Sequence, residues 1–146
     1  MNQTAEHSGK LIERTALGFS CALLAASAAG ALYTGTAGSL FQDFIRLLTT
    51  PCPLSQDYFL LGSMPATFLN AGLCGLGMWL FLALLPGNSH ANAMAGFFLV
   101  IAHAFYGLNF LNIWPCFLAP FLYLRLKKLD LKQYLHINMF ATCFGP

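Results

Sequence analysis

Apolar residues in this chain fall in long runs broken by glycine, proline and asparagine, without the strict alternation of a half-buried strand. Residues 16–33 form the first run, free of charged side chains and just long enough for a marginal membrane span. A polar segment, 1–15, precedes it and sets Lys10 and Arg14 just ahead of the run. Small residues recur at Gly18, Ala22, Ala25, Ala26, Ala29 and Gly30, so this helix is expected to pack closely on a neighbour. Ser27 and Thr34 are expected to bond back to their own backbone. The stretch Ala25-Ala26-Ser27-Ala28-Ala29 also has the small side chains of a secretory cleavage site, which leaves removal of the first helix as the other reading.

After a break at 35–38, residues 40–50 set Leu40, Phe41, Phe44, Ile45, Leu47 and Leu48 on one side of a helix and Gln42, Asp43 and Arg46 on the other. That is the pattern of a short amphipathic helix lying in a membrane interface. Pro51-Cys52-Pro53 ends it, and Ser55 or Asp57 is placed to cap the next helix. Pro65 suits a first helical turn, and the run 65–85 that it opens is long enough for a full crossing. Its one carboxamide, Asn70, is followed by Gly72 and Gly75, whose missing side chains admit a neighbouring helix. Asn70 itself either bonds a partner helix or meets a solute.

The next apolar stretch, 91–124, is too long for one crossing and too short for two. As continuous helix it would reach about 51 Å, against roughly 60 Å for two passes. In its middle, Gly107-Leu108-Asn109-Phe110-Leu111-Asn112-Ile113-Trp114-Pro115 puts two carboxamides, a glycine and a proline at membrane depth. Backbone freed there must be buried in protein or line a polar cavity. Residues 91–124 therefore read as a broken or re-entrant helical hairpin with Gly107 and Pro115 at the break; a tilted, broken single span is the alternative. Arg125, Lys127, Lys128 and Lys132 follow, and such a basic segment stays in the cytoplasm. With the N-terminus inside, spans 16–33 and 65–85 go out and back, and the hairpin returns 125–136 to the cytoplasmic side. A third full crossing would strand those four charges outside. Residues 137–146 begin a further apolar element.

Composition sharpens this into a fold class. The chain is 58% hydrophobic and 8% charged, against about 25% charged in soluble domains. From 58 to 124 there is no charged side chain at all. The expected fold is all-α, a polytopic helical protein of the cell membrane whose first partner is the lipid bilayer. A net charge of +2 with scattered basic residues argues against nucleic acid. The five cysteines and four histidines show no metal-ligand spacing, so neither metal nor cofactor is expected. No GxSxG, no HExxH and no paired intramembrane carboxylates occur, so the chain does not read as an enzyme.

The chemistry left to consider is that of the carboxamides. Asn70, Asn109 and Asn112 could replace a solute's hydration, with His103 alongside and Trp114 and Phe110 shaping a constriction. That reading makes the chain a channel or transporter subunit for a small neutral solute. The alternative is a non-transporting structural or assembly subunit, the carboxamides fastening helices and the partner being a second copy or a complementary membrane subunit. The two part over Asn109, hydrated in the first and buried and dry in the second. Phe68-Leu69-Asn70 also recurs further along as Phe110-Leu111-Asn112, an echo of the kind seen in repeat-built transporters but short enough for chance.

Asp57-Tyr58-Phe59, Ala66-Thr67-Phe68-Leu69-Asn70-Ala71-Gly72-Leu73 and the stretch 107–115 together resemble a known family. It is the group of uncharacterised multi-pass bacterial membrane proteins called domain-of-unknown-function family fifteen seventy-six. The resemblance covers most of 55–146 and implies membrane residence without supplying an activity. Members of that family are considerably longer, which implies that Met139-Phe140-Ala141-Thr142 starts a segment this chain does not complete. A second chain or a homo-oligomer would then close its packing surfaces.

Overall fold

The structure, a computed structural model, describes residues 3–51, 56–84 and 91–129 together with 134, 137 and 139–141, and the side chains of these except 3–6 and 91. Residues 85–90, most of 130–146, and 52–55 with the expected Cys52-Pro53 stop and the alternative cap Ser55 lie outside the described residues. Among the described residues, six helices are delimited in order: α1 (Gln3–Tyr33), α2 (Leu40–Thr49), α3 (Tyr58–Leu61), α4 (Met64–Leu84), α5 (Ala91–His103) and α6 (Ile113–Leu126). The described residues contain no strand, and the fold is all-α. Two stretches, His7–Tyr33 and Met64–Leu84, are long and apolar enough to cross a membrane.

Helix α1 runs without interruption from Gln3, so residues 3–15 of the polar segment continue into the apolar run as helix. Apart from Gly9, residues 5–15 are helix formers or neutral, with no proline to stop propagation from the apolar run. One stripe of α1 is buried: Ala16, Ser20, Leu23, Ser27 and Ala31, spaced by three and four. The small residues expected to face a neighbour lie mostly elsewhere. Gly18, Ala22, Ala25, Ala26 and Ala29 are exposed, and of that set Gly30 alone sits half-buried against Pro65. The close approach is provided from the other side. A Cβ on Gly72 would lie 2.7 Å from Leu24 Cδ2, and one on Gly75 would lie 2.8 Å from Ile101 Cδ1 and 2.5 Å from Ser20 Oγ. Glycines on α4 therefore seat α1 and α5. Thr34 does bond its own helix, at Gly30 O, but Ser27 Oγ donates across to Pro65 O at 2.7 Å.

These contacts fix the directions. Ser27 meets Pro65 while Ser20 meets Gly75, so α1 and α4 are antiparallel. Trp114 lies over Gly77 and Phe117 against Phe81, so α6 runs alongside α4 in the same sense. Ile101 packs at Gly75 and Ala104 O meets Asn70, so α5 is antiparallel to both. Lys10 and Arg14 thus share one end of the bundle with Arg125, Lys127 and Lys128. Asp43, Arg46 and Asp57 sit at the other.

Helices α5 and α6 hold 13 and 14 residues, about 20 Å each, two-thirds of the roughly 30 Å a crossing needs. The non-helical segment between them is 104–112, earlier than the 107–115 expected. Pro115 is the third residue of α6 and marks its start, since a first-turn N–H has no intrahelical partner to lose. Beyond the tip of this hairpin lie α2 and α3. Phe44 and Leu47 of α2 are buried with Tyr58 and Ala66, while Phe41 and Ile45 of the same apolar face remain exposed. Asp57 caps α3, its carboxylate accepting from Phe59 N at 2.9 Å.

Candidate functional site

The tip 104–112 reverses the chain without regular structure, so the fate of its backbone polar groups decides what it can do. Helix α5 ends by tightening: Phe105 N bonds Ala102 O and Tyr106 N bonds His103 O. Gly107 then takes φ +116°, which a side chain would resist, and Leu108 N returns to His103 O at 3.0 Å. This is the six-to-one bond of a Schellman cap, with glycine at its left-handed position.

Three asparagine side chains take several of the groups that remain. Asn70, with no exposed surface, reaches in from α4; its Nδ2 donates to Ala104 O at 2.8 Å and Leu108 O at 3.0 Å, and its Oδ1 accepts from Phe110 N at 3.1 Å. Asn109 and Asn112 serve one another. Asn109 Oδ1 accepts from Leu111 N and Asn112 N, both at 2.9 Å, and Asn112 Oδ1 accepts from Asn109 N at 2.6 Å. That reciprocity has the form of a capping box and closes one turn, 109–112, just ahead of α6, whose first residue bonds back to it through Ile113 N and Asn109 O. Asn112 Nδ2 donates to Gly107 O at 2.8 Å.

The far side of the tip is closed by Tyr58, which is fully buried. Its N–H donates to Phe105 O at 3.1 Å and its hydroxyl to Gly107 O at 2.8 Å. Asn109 Nδ2 points the same way, with longer contacts to the Tyr58 hydroxyl at 3.3 Å and Leu47 O at 3.4 Å. Thr67 Oγ1 holds the chain there by donating to Tyr58 O at 3.0 Å. Rings of Phe59, Phe68 and Phe105 pack together beside the network, their centroids 5.5 to 6.0 Å apart.

Asn70, Asn109, Asn112 and Gly107 are thus brought together, and the two copies of the Phe-Leu-Asn echo touch through Asn70 Oδ1 and Phe110 N. His103 and Trp114 are not part of the cluster. His103 Nδ1 lies 2.9 Å from Leu99 O, one turn back in its own helix, and so carries its proton there. Trp114 stacks edge to face on Phe110 with centroids 5.7 Å apart, over the open side of Gly77. Gly72 and Gly75 lie against α1 and α5, and Pro115 is inside α6.

Tyr58 and Thr67 were not among the site residues expected from the sequence. A signal existed, since a tyrosine inside an apolar run needs a partner for its hydroxyl. Nothing in the sequence named that partner as Gly107 O.

A family model described as protein of unknown function (DUF1576) matches residues 36–146. The chain belongs to this family. The DUF1576 match takes in every residue of the network, from Leu47 to Asn112, and begins after α1. No curated protein and no solved structure matches the chain.

Proposed function

We propose that this DUF1576 chain is a multi-pass membrane protein acting as a structural or assembly subunit, with a sealed re-entrant hairpin rather than a solute pathway at its centre. In this reading α1 and α4 cross the bilayer, α5 and α6 enter and leave on the side of Arg125, and α2 lies in the opposite interface with Phe41 and Ile45 toward lipid. The cations Lys10, Arg14, Arg125, Lys127 and Lys128 at one end put that end in the cytoplasm, with the N-terminus and 125–136.

The observation that carries the reading is the engagement of the carboxamides. Every amide and carbonyl oxygen of Asn70, Asn109 and Asn112 has a partner in the protein, almost all of it backbone. Groups that replace a solute's hydration must be free to exchange partners. Asn109 is 3% exposed, the buried state that separates the two readings. An assembly role is favoured by the outer row of α6, where Leu118, Leu122, Tyr123 and Leu126 are exposed, although short re-entrant helices are tolerated where protein surrounds them. A second copy or a complementary membrane subunit would cover that row.

Two measurements test this. Proteoliposomes of the intact chain should pass glycerol and urea no faster than empty vesicles; flux that Asn109→Leu abolishes in a folded protein would overturn the proposal. Single cysteines at Leu118 and Leu122, in a cysteine-free background, should cross-link between chains in native membranes. Monomer at both positions would remove the assembly role.

A further inference from the structure

The outer face of α6 carries more chemistry than an apolar row. Leu118, Ala119, Leu122, Tyr123 and Leu126 are exposed along it, and Pro120 lies at its edge, inside the helix. Proline has no N–H, so the carbonyl of Cys116 loses its helical donor. Cys116 and Pro120 are both half-buried, which leaves that carbonyl at the margin of the row rather than in the core. Along the helix it lies about 14 Å deeper than Arg125. Where the row ends, Arg125, Lys127 and Lys128 are all exposed. Among the described side chains at that end of the bundle, Glu13 is the only carboxylate, and it is half-buried on α1.

We infer that this face docks a transmembrane helix of another protein, one that ends in Asp or Glu on the side of Arg125 and presents a hydroxyl or carboxamide donor at the depth of Cys116. The inference rests on the assembly reading and chooses between its two partners. Charge makes the choice. A second copy packed on the same row in the same membrane would bring Arg125, Lys127 and Lys128 of both chains together, and like charges so juxtaposed repel. Carboxylates would pair with them instead. Lipid tails would cover the leucines but offer no donor to the Cys116 carbonyl, and the bilayer core holds no water to replace one. A side-chain donor on the partner helix supplies that bond, of the kind that fastens membrane helices to one another.

Energy transfer in phosphatidylcholine vesicles tests the surface, with the intact chain labelled at its N-terminus and a synthetic helix as the probe. The helix has about twenty Leu and Ala residues, ends in Glu-Glu-Glu and carries one Ser about nine residues from that end. It should associate on the order of tenfold more tightly than its counterpart ending in Lys-Lys-Lys, as expected of two or three exposed ion pairs. Arg125→Gln with Lys127→Gln should erase the preference, and Arg14→Gln should leave it. Replacing the Ser of the probe by Ala should weaken association about threefold, and Pro120→Ala, which restores the N–H to the Cys116 carbonyl, should remove that difference. Equal association of the two probes, a preference that survives the Arg125 and Lys127 changes, or a Ser dependence indifferent to Pro120→Ala would overturn the inference. So would a disulfide dimer of Leu122→Cys in vesicles without probe, which gives the row to a second copy, or a Glu preference abolished by phosphatidylglycerol, which gives the cations to lipid headgroups. Cross-linking in native membranes separates this from the underlying reading. Cross-links at Leu118 and Leu122 without discrimination between the probes refute the acidic partner alone, whereas monomer at both positions refutes the assembly role with it.

Discussion

Asn70→Leu removes one buried side chain of similar size and strands three backbone groups, the carbonyls of Ala104 and Leu108 and the amide of Phe110. Each buried group left unpaired costs about 1 to 3 kcal/mol, so the three together reach roughly 3 to 9 kcal/mol. Side-chain hydrogen bonds measured between membrane helices average about 0.6 kcal/mol, which lowers the bottom of the range to about 2 kcal/mol. The lower figure holds where the stripped groups find new partners. Here they are enclosed by α4, the aromatic rings of Phe59, Phe68 and Phe105, and the tip itself, so we expect at least about 3 kcal/mol, a large part of the roughly 5 to 15 kcal/mol typical of a folded domain. The assay is reversible unfolding in mixed micelles followed by circular dichroism, with amide exchange at Phe110 as the local reporter. Asn70→Asp keeps the acceptor for Phe110 N but turns a carboxyl toward two carbonyls, and should be at least as damaging. If Asn70→Leu loses less than the average for one such interhelical bond, and Phe110 stays protected, the tip is not held as described.

Three further outcomes use the same unfolding measurement. Tyr58→Phe removes the hydroxyl from Gly107 O but leaves Asn112 Nδ2 there, so it should cost about 1 to 2 kcal/mol, less than Asn70→Leu. Gly75→Ala should cost about 1 to 3 kcal/mol because its methyl is caught between Ser20 and Ile101, while Gly18→Ala, pointing into open space, should be neutral or stabilise by up to about 1 kcal/mol. Lys128 occupies the left-handed position of a second Schellman cap, with φ 55° and Leu129 N bonded to Leu124 O. Lys128→Gly should therefore stabilise by about 1 kcal/mol, and a loss instead would show that the lysine side chain matters more than its backbone.

The helical class and the two long apolar helices were legible because they depend on local chemistry. The uncharged runs 16–33 and 65–85, a capping aspartate at 57 and a proline at 65 each announce themselves through near neighbours in the chain. The orientation of α1 was not legible. Its small residues run along one face and its Ser20, Leu23 and Ser27 along another, and periodicity alone cannot choose between them. The choice is made by Gly72 and Gly75 on α4, which open a groove deep enough for Leu24 and Ser20. Likewise the pattern of Asn109 and Asn112 announced a break but placed it too late in the chain. The turn closed by Asn109 and Asn112 precedes the regular helix, and Pro115, which looks like a breaker in a one-dimensional string, falls in the first turn of α6 once Ile113 begins it. Tyr58 and Leu47 join the tip across 51 and 62 positions, distances over which no spacing rule operates.

The depth of the tip gives the network its purpose. Asn70 lies well inside α4, which starts at Met64, so the tip is about 9 Å below the end of that helix. Were this end at the bilayer surface, water would not reach the carbonyls of 104, 105, 107 and 108, and each would need a protein partner. The tip supplies them from three directions: α4 through Asn70, its own turn through Asn109 and Asn112, and α3 through Tyr58. The proposed sealed hairpin is the opposite of a pore lining, in which carbonyls would turn to a lumen. Here the side chains lie on the same side as the groups they satisfy, and α2 closes over them with Leu47. In the proposed reading, a hairpin built this way would hold the ends of α5 and α6 at a fixed depth and leave their outer faces, not their tip, for a partner helix.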